Sequence, residues 1–158
     1  MRKLFGSLIF NEMQQNKDIF LITADLGFGV LDKCKEIFTD RFFNTGAAEQ
    51  LMIGLGIGLA ENNKIPICYS ITPFLLYRPF EFIRNYINHE NIPVKLVGSG
   101  RDKDYSHDGI SHWAEDDEQV LSSLPNIEIF KPISEKELIE QFKIFLYSDK
   151  PAYLNLKR

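Results

Sequence analysis

Two rhythms of apolar and polar positions trade places along this chain. From about Lys3 to Gln15 the apolar residues Leu4, Leu8, Ile9 and Met13 recur at helical spacing, which predicts an amphipathic helix. Ile19–Thr23 (IFLIT) is short, apolar and rich in β-branched residues, the pattern of a buried strand. It runs into ADLGFG, where Asp25, Gly27 and Gly29 predict a loop, and Leu31–Phe38 predicts a short helix. A short strand ending at Asn44, a tight turn at Gly46 and a helix reaching Asn62–Asn63 come next. Ile65–Ser70 (IPICYS) predicts a third strand, after which Thr72–Pro73 and Pro79 bracket a turn into a long helix from Phe80 to about Asn88.

The second half keeps the alternation. Pro93–Gly98 reads as a fourth strand and Ser99–His112 as a polar loop. Glu115–Leu124 reads as a helix whose first-turn acids, Glu115, Asp116 and Asp117, suit the helix dipole and a solvated surface. Asn126–Phe130 predicts a fifth strand, and Ser134–Tyr147 a helix opened by the capping-box pair Ser134 and Glu137. Ala152–Leu156 predicts the last strand.

Strands that are apolar throughout and alternate with helices imply an α/β fold. The expected form has three layers, a mainly parallel sheet of about six strands covered by helices on both faces. Ligands of such folds bind beyond the carboxyl ends of the strands. The loops after Thr23, Asn44, Ser70 and Gly98 should therefore share one rim, and they carry Asp25, Glu49, Phe74 with Tyr77, and His107–His112.

Phe42–Ala60 (FFNTGAAEQLMIGLGIGLA) is the stretch on which that rim centres. Glu49 falls in the first turn of a helix that is otherwise apolar, where a carboxylate is either a favourable partner of the helix dipole or a chemical tool. Gly54, Gly56 and Gly58 follow, each costing about 1 kcal/mol against alanine in a helix, so close packing against that backbone is expected.

Length and charge narrow the picture. The chain has 158 residues and reads as one domain over residues 1–158. The net charge of −4 comes without any basic stripe, which leaves no electrostatic footprint for nucleic acid. No apolar run approaches the roughly 20 residues of a membrane span, and Asn11 and Glu12 break the first apolar patch too early for a signal peptide. Cys34 and Cys68 are far apart and fit no metal spacing, and a cytoplasmic location is expected.

GLGIG lies inside a helix and not at a strand-to-helix turn, so it is no dinucleotide fingerprint, and no GxxxxGK[ST] phosphate loop occurs. His107, Asp108 and His112 in SHDGISH lack zinc-site spacing, and no metal ligand is assigned in this chain. Loop histidines beside an Asp-Gly turn suit substrate hydroxyls or proton transfer, or else mark a solvated turn. Phe74 and Tyr77 are either core or a flat wall for an aromatic ligand.

In order and spacing, these motifs resemble the pyrimidine-binding domain of transketolases and other thiamine diphosphate-dependent enzymes. The matching segments are ITADLG, RFFNTGAAEQLMIGLGIGLA, FLLYRPFEFIR, DGISHWAEDDEQVLSSLPNIEIFKP and PAYLNLKR, which together span nearly the whole chain. The resemblance implies that Glu49 hydrogen-bonds a ring nitrogen of the cofactor's aminopyrimidine and favours the tautomer that can accept the thiazolium proton. It implies that Phe74 stacks on the pyrimidine with Tyr77 beside it, and that Asp108 and His112 contact substrate hydroxyls near the reacting carbon. His107 joins them as a substrate-side candidate, His112 with Glu49 as a catalytic one, and Asp25 as a cofactor-side residue at the subunit interface.

Departures from the family pattern fall on the substrate side. Gly100 and Arg101 stand where a histidine is usual, His107 where an acid is common, and Trp113 where a glutamine is common. No GDG motif for diphosphate and Mg occurs. The resemblance therefore implies one piece of a split enzyme. A partner chain would hold Mg and the diphosphate of thiamine diphosphate, most simply in a heterotetramer. The expected reaction moves a two-carbon ketol unit between sugars or sugar phosphates. The alternatives are a 2-oxoacid dehydrogenase or decarboxylase, a deoxyxylulose phosphate synthase-like enzyme, or a non-catalytic partner-binding module of the same fold.

Overall fold

The computed structural model describes residues 1–158. All six strands run parallel in the order β2-β1-β3-β4-β6-β5, with β1 Ile19–Thr23, β2 Phe42–Asn44, β3 Ile65–Ile71, β4 Lys95–Ser99, β5 Glu128–Phe130 and β6 Ala152–Leu156. Every carboxyl end therefore faces the same rim. The helices are α1 Arg2–Gln15, α2 Asp32–Ile37, α3 Glu49–Glu61, α4 Thr72–Tyr77, α5 Phe80–Phe82, α6 Asp117–Leu121 and α7 Glu135–Tyr147. α5 continues as a π-helical turn over Ile83–His89.

The strands show why the sheet is apolar on both sides. Leu21, Ile67, Tyr69, Val97 and Leu154 face one core with Phe5, Ile9 and Met13 of α1 and Leu138, Phe142 and Phe145 of α7. Their neighbours Ile22, Cys68, Leu96 and Tyr153 face the other, with Met52 and Ile53 of α3, Leu75 and Leu76 of α4, and Ile83 and Ile87. Side chains alternate between faces along a strand, so two covered faces require unbroken apolar runs. The three-layer α/β architecture expected from the sequence is the one observed.

Most element ends follow from local chemistry. Ser134 Oγ accepts a hydrogen bond from Glu137 N at 3.2 Å, closing the N-terminus of α7, and Glu137 Oε2 reaches back to Ile133 N at 2.9 Å. β4 begins at Lys95, two residues later than expected, because Pro93 lacks an N–H for the ladder. β5 begins at Glu128 because Asn126 is held outside the sheet, its N–H and side chain both donating to Asn88.

Three expectations are corrected. Thr72–Tyr77 is a helix and not a turn, opened by Pro73 in its first positions, where the missing N–H costs nothing. The helix expected over Glu115–Leu124 shrinks to Asp117–Leu121, since the Ser122 and Ser123 hydroxyls bond the Gln119 and Val120 carbonyls at its end. Asp117 is not a surface acid: it is 1% exposed and bonded to Tyr153, Asn155 and Lys131.

Candidate active site

Asn44, the last residue of β2, ties the first two rim loops together. Its Oδ1 accepts from Asp25 N at 2.8 Å and Gly46 N at 3.0 Å, while its Nδ2 donates to Asp25 Oδ1 at 3.3 Å. Asp25 adopts φ +56° and Gly46 φ +68°, left-handed conformations that reverse the chain at each strand end. The Gly46 turn delivers Glu49 as the first residue of α3, beside the free backbone N–H groups of the helix start.

Glu49 is 2% exposed. Its counter-ion comes from the C-terminal end of α4, the helix after β3: Arg78 Nη1 donates to both Oε1 and Oε2 at 2.8 Å. The Arg78 guanidinium also lies over the Phe74 ring, 3.7 Å from its centroid. Phe74 meets His112 edge-on at 4.8 Å, and His112 lies 6.1 Å from the Tyr105 ring. A buried carboxylate, a planar cation, an aromatic wall and an imidazole are thus brought together from the loops after β2, β3 and β4.

The other sequence-selected residues lie around this group. Tyr77 is one turn beyond Phe74, and its hydroxyl donates to Asp116. Burial, with Asp116 beside it, raises the phenol's pKa well above its usual value. Tyr77 therefore braces the α6 end of the loop after β4, while Arg78 covers Phe74. His107 Nε2 lies 3.2 Å from Asp108 Oδ2 on a pair of exposed 3₁₀ turns, and neither residue is hydrogen-bonded to the Glu49 group. His112 Nδ1 shares a 3.0 Å hydrogen bond with Ser111 Oγ. Asp25 is held by Asn44 and does not reach Glu49's ion pair.

Glycine packing is uneven along α3. A Cβ on Gly56 would come 2.8 Å from Cys68 Sγ, whereas Gly54 has only ordinary contact with Phe82 and Gly58 meets nothing within 4 Å. The close approach expected of all three is confined, within this chain, to Gly56. Leu51 and Gly58 leave a part-apolar stripe of α3 exposed. Cys34 and Cys68 are both buried, and burial pushes the Cys34 thiol up to about 11.

Sequence reasoning missed Arg78, Asn44 and the inward role of Arg101. Arg101 is 8% exposed, donating from Nε to Asn155 Oδ1 at 2.7 Å and from Nη2 to the carbonyls of Pro132 and Asn155. It fastens the start of the loop after β4 to β6. The signal for Arg78 was its place one residue after Tyr77 in an aromatic helix, four positions from Phe74 and so on the same face. No group of three or more His, Cys, Asp or Glu side chains converges as a metal site. No helix is long and apolar enough to cross a membrane.

The family model for the transketolase pyrimidine-binding domain matches residues 1–158. A protein of Methanocaldococcus jannaschii, provisionally named a transketolase C-terminal section, is 29% identical over the whole of this chain and 50% of its own length. The 6-deoxy-6-sulfo-D-fructose transketolase subunit SqwH of a Clostridium species is 26% identical, again over the whole chain and 49% of its length. A solved structure described as a split-gene transketolase, inactive beta4 tetramer, superimposes with a TM-score of 0.84 at 30% identity, covering 99% of this chain and 51% of that one. The chain spans about half the length of these relatives.

Proposed function

The chain belongs to the transketolase family as its pyrimidine-binding domain, and on that premise we propose that it is half of a thiamine diphosphate site in a split, transketolase-like transferase. The supporting observation is the Glu49–Arg78–Phe74 arrangement. A planar, delocalised cation with in-plane N–H donors already fits between the carboxylate and the ring. The aminopyrimidine end of thiamine diphosphate is likewise flat and presents a ring nitrogen that can share a proton with a carboxyl group, so the residues present suit it.

When bound, thiamine diphosphate would supply the carbon nucleophile of the reaction. The protein's contribution is positioning and proton control. Glu49, itself 2% exposed, would hydrogen-bond a ring nitrogen of the pyrimidine and share its proton there. Phe74 would give the ring its stacking surface, with Tyr77 bracing the helix through Asp116 and Asp25 ordering the adjoining loop through Asn44. His112, in edge contact with Phe74, stands nearest the reacting region and would exchange protons with substrate. Asp108 and His107, farther out on the same loop, would meet substrate hydroxyls.

That chemistry favours a hydroxylated substrate and transfer of a two-carbon ketol unit between sugars or sugar phosphates. The diphosphate and its Mg would be held by a partner chain carrying the GDG domain, in a heterotetramer of two chains of each kind. The names of the split-gene and subunit relatives support a transketolase divided between chains. The test is ketol transfer by the reconstituted complex. Glu49→Gln should lower kcat by about 10²–10⁴, the usual size of a general acid–base contribution, with assembly intact. Full activity in that variant would refute the assignment.

A further inference from the structure

We propose that Arg78 is an internal stand-in for the cofactor's pyrimidine, occupying its place in the free chain and leaving when the ring binds. This inference rests on the thiamine diphosphate reading above. It begins from a conflict of geometry. Both oxygens of Glu49 are already engaged by Arg78 Nη1 at 2.8 Å, and the face of Phe74 is already covered at 3.7 Å. A ring that stacks on Phe74 and hydrogen-bonds Glu49 through a ring nitrogen needs that same space and those same carboxyl oxygens. The two arrangements exclude each other.

The exchange is physically easy. The Glu49 side chain is 2% exposed but that of Arg78 is 46% exposed, so the guanidinium enters the site from solvent. Arg78 follows the last residue of α4 with ordinary helical backbone angles, φ −63° and ψ −46°. Its long stem can rotate outward without moving the helix. In the free chain the ion pair spares Glu49 an uncompensated buried charge, which is among the more destabilising features a protein can carry. Once a ring nitrogen shares a proton with the Glu49 carboxyl group, the guanidinium returns to water, where it is well solvated. Glu49 thus keeps a partner in both states.

A bound-competent state that is only part of the population weakens apparent affinity by that fraction. Arg78 therefore sets the threshold at which cofactor enters, and removing it should tighten binding. The measurement is a calorimetric titration of thiamine diphosphate with Mg²⁺ into the chain assembled with its diphosphate-binding partner, comparing wild type with Arg78→Met. The variant should bind about five- to tenfold more tightly. If Arg78→Met fails to fold, Arg78→Lys carries the test, since it keeps the charge but loses the plane that stacks on Phe74. Its shift should have the same sign and a smaller size. Binding that is unchanged or weaker in the variant would overturn the displacement and leave the cofactor reading standing. Absence of binding to wild type and variants alike would overturn the cofactor reading, and the displacement with it.

Discussion

Asp117→Ala removes the carboxylate at the centre of the buried polar group under the rim, and its cost can be worked from the contacts. Asp117 Oδ2 accepts from Tyr153 Oη at 2.9 Å and Asn155 Nδ2 at 3.1 Å, and Oδ1 accepts from Lys131 Nζ at 3.3 Å and Glu118 N at 2.8 Å. Some partners have alternatives. Asn155 Nδ2 also lies near Thr72 Oγ1, Gly100 O and Tyr153 Oη, and Lys131 also pairs with Glu118 at 2.6 Å. Tyr153 is fully buried, and its hydroxyl loses its acceptor. An orphaned buried donor costs about 1–3 kcal/mol, and each lost hydrogen bond to a charged group about 1.5–3 kcal/mol. Allowing for the alternatives, Asp117→Ala should destabilise by about 3–5 kcal/mol, in the range for breaking a buried ion pair. Urea unfolding should show the midpoint falling by about 2 M for an m-value of about 2 kcal/mol/M. Combining it with Tyr153→Phe, which removes the orphaned hydroxyl, should recover part of the loss. A loss under about 0.5 kcal/mol, typical of surface substitutions, would refute the buried role and restore the reading of Asp117 as a solvated helix-start acid.

Two further outcomes separate packing from charge. Gly56→Ala places a methyl 2.8 Å from Cys68 Sγ, so overpacking of about 1–3 kcal/mol should outweigh or cancel the helix gain of about 1 kcal/mol. Gly58→Ala meets nothing within 4 Å and should stabilise by about 0.5–1 kcal/mol, so melting temperatures that shift equally would contradict the packing account. Lys95 on β4 is 1% exposed and its pKa is pushed down to about 8 by burial, against the opposing pull of Glu128 and Asp149. Between pH 8 and about 10.4 the unfolded chain keeps a proton that the folded chain has shed, so this group makes stability rise with pH across that window. The stability difference between Lys95→Met and wild type should therefore shift in favour of wild type by about 3 kcal/mol from pH 7 to pH 10.5, and a difference flat with pH would rule the titration out.

The sequence by itself determined the sheet and its rim. Ile19–Thr23 and Ala152–Leu156 are strands with the expected bounds, because a residue run buried on both faces has a local signature that needs no knowledge of its neighbours. The Ser134 cap and the Gly46 turn were legible for the same reason, each being a bond or a backbone angle within a few residues. Glu49, Phe74 and His112 could be selected as rim residues because strand order along a parallel α/β chain dictates which loops share an edge.

Which partners those residues take was decided only in three dimensions. The Arg78–Glu49 pair spans 29 positions and the Asp117–Tyr153 pair 36, and no periodicity reports a contact at such separations. Asp117 has the local context of a solvated helix-start acid, yet it faces inward because β6 brings Tyr153 and Asn155 beneath it. Gly56 and Gly58 have the same local sequence context, and the position of Cys68 on β3 makes one tightly packed and the other free. Local pattern sets most of the strands and helices and their apolar faces, but not the burial of a single polar side chain such as Asp117. The identity of the atom on the other side depends on how the sheet order folds distant segments together.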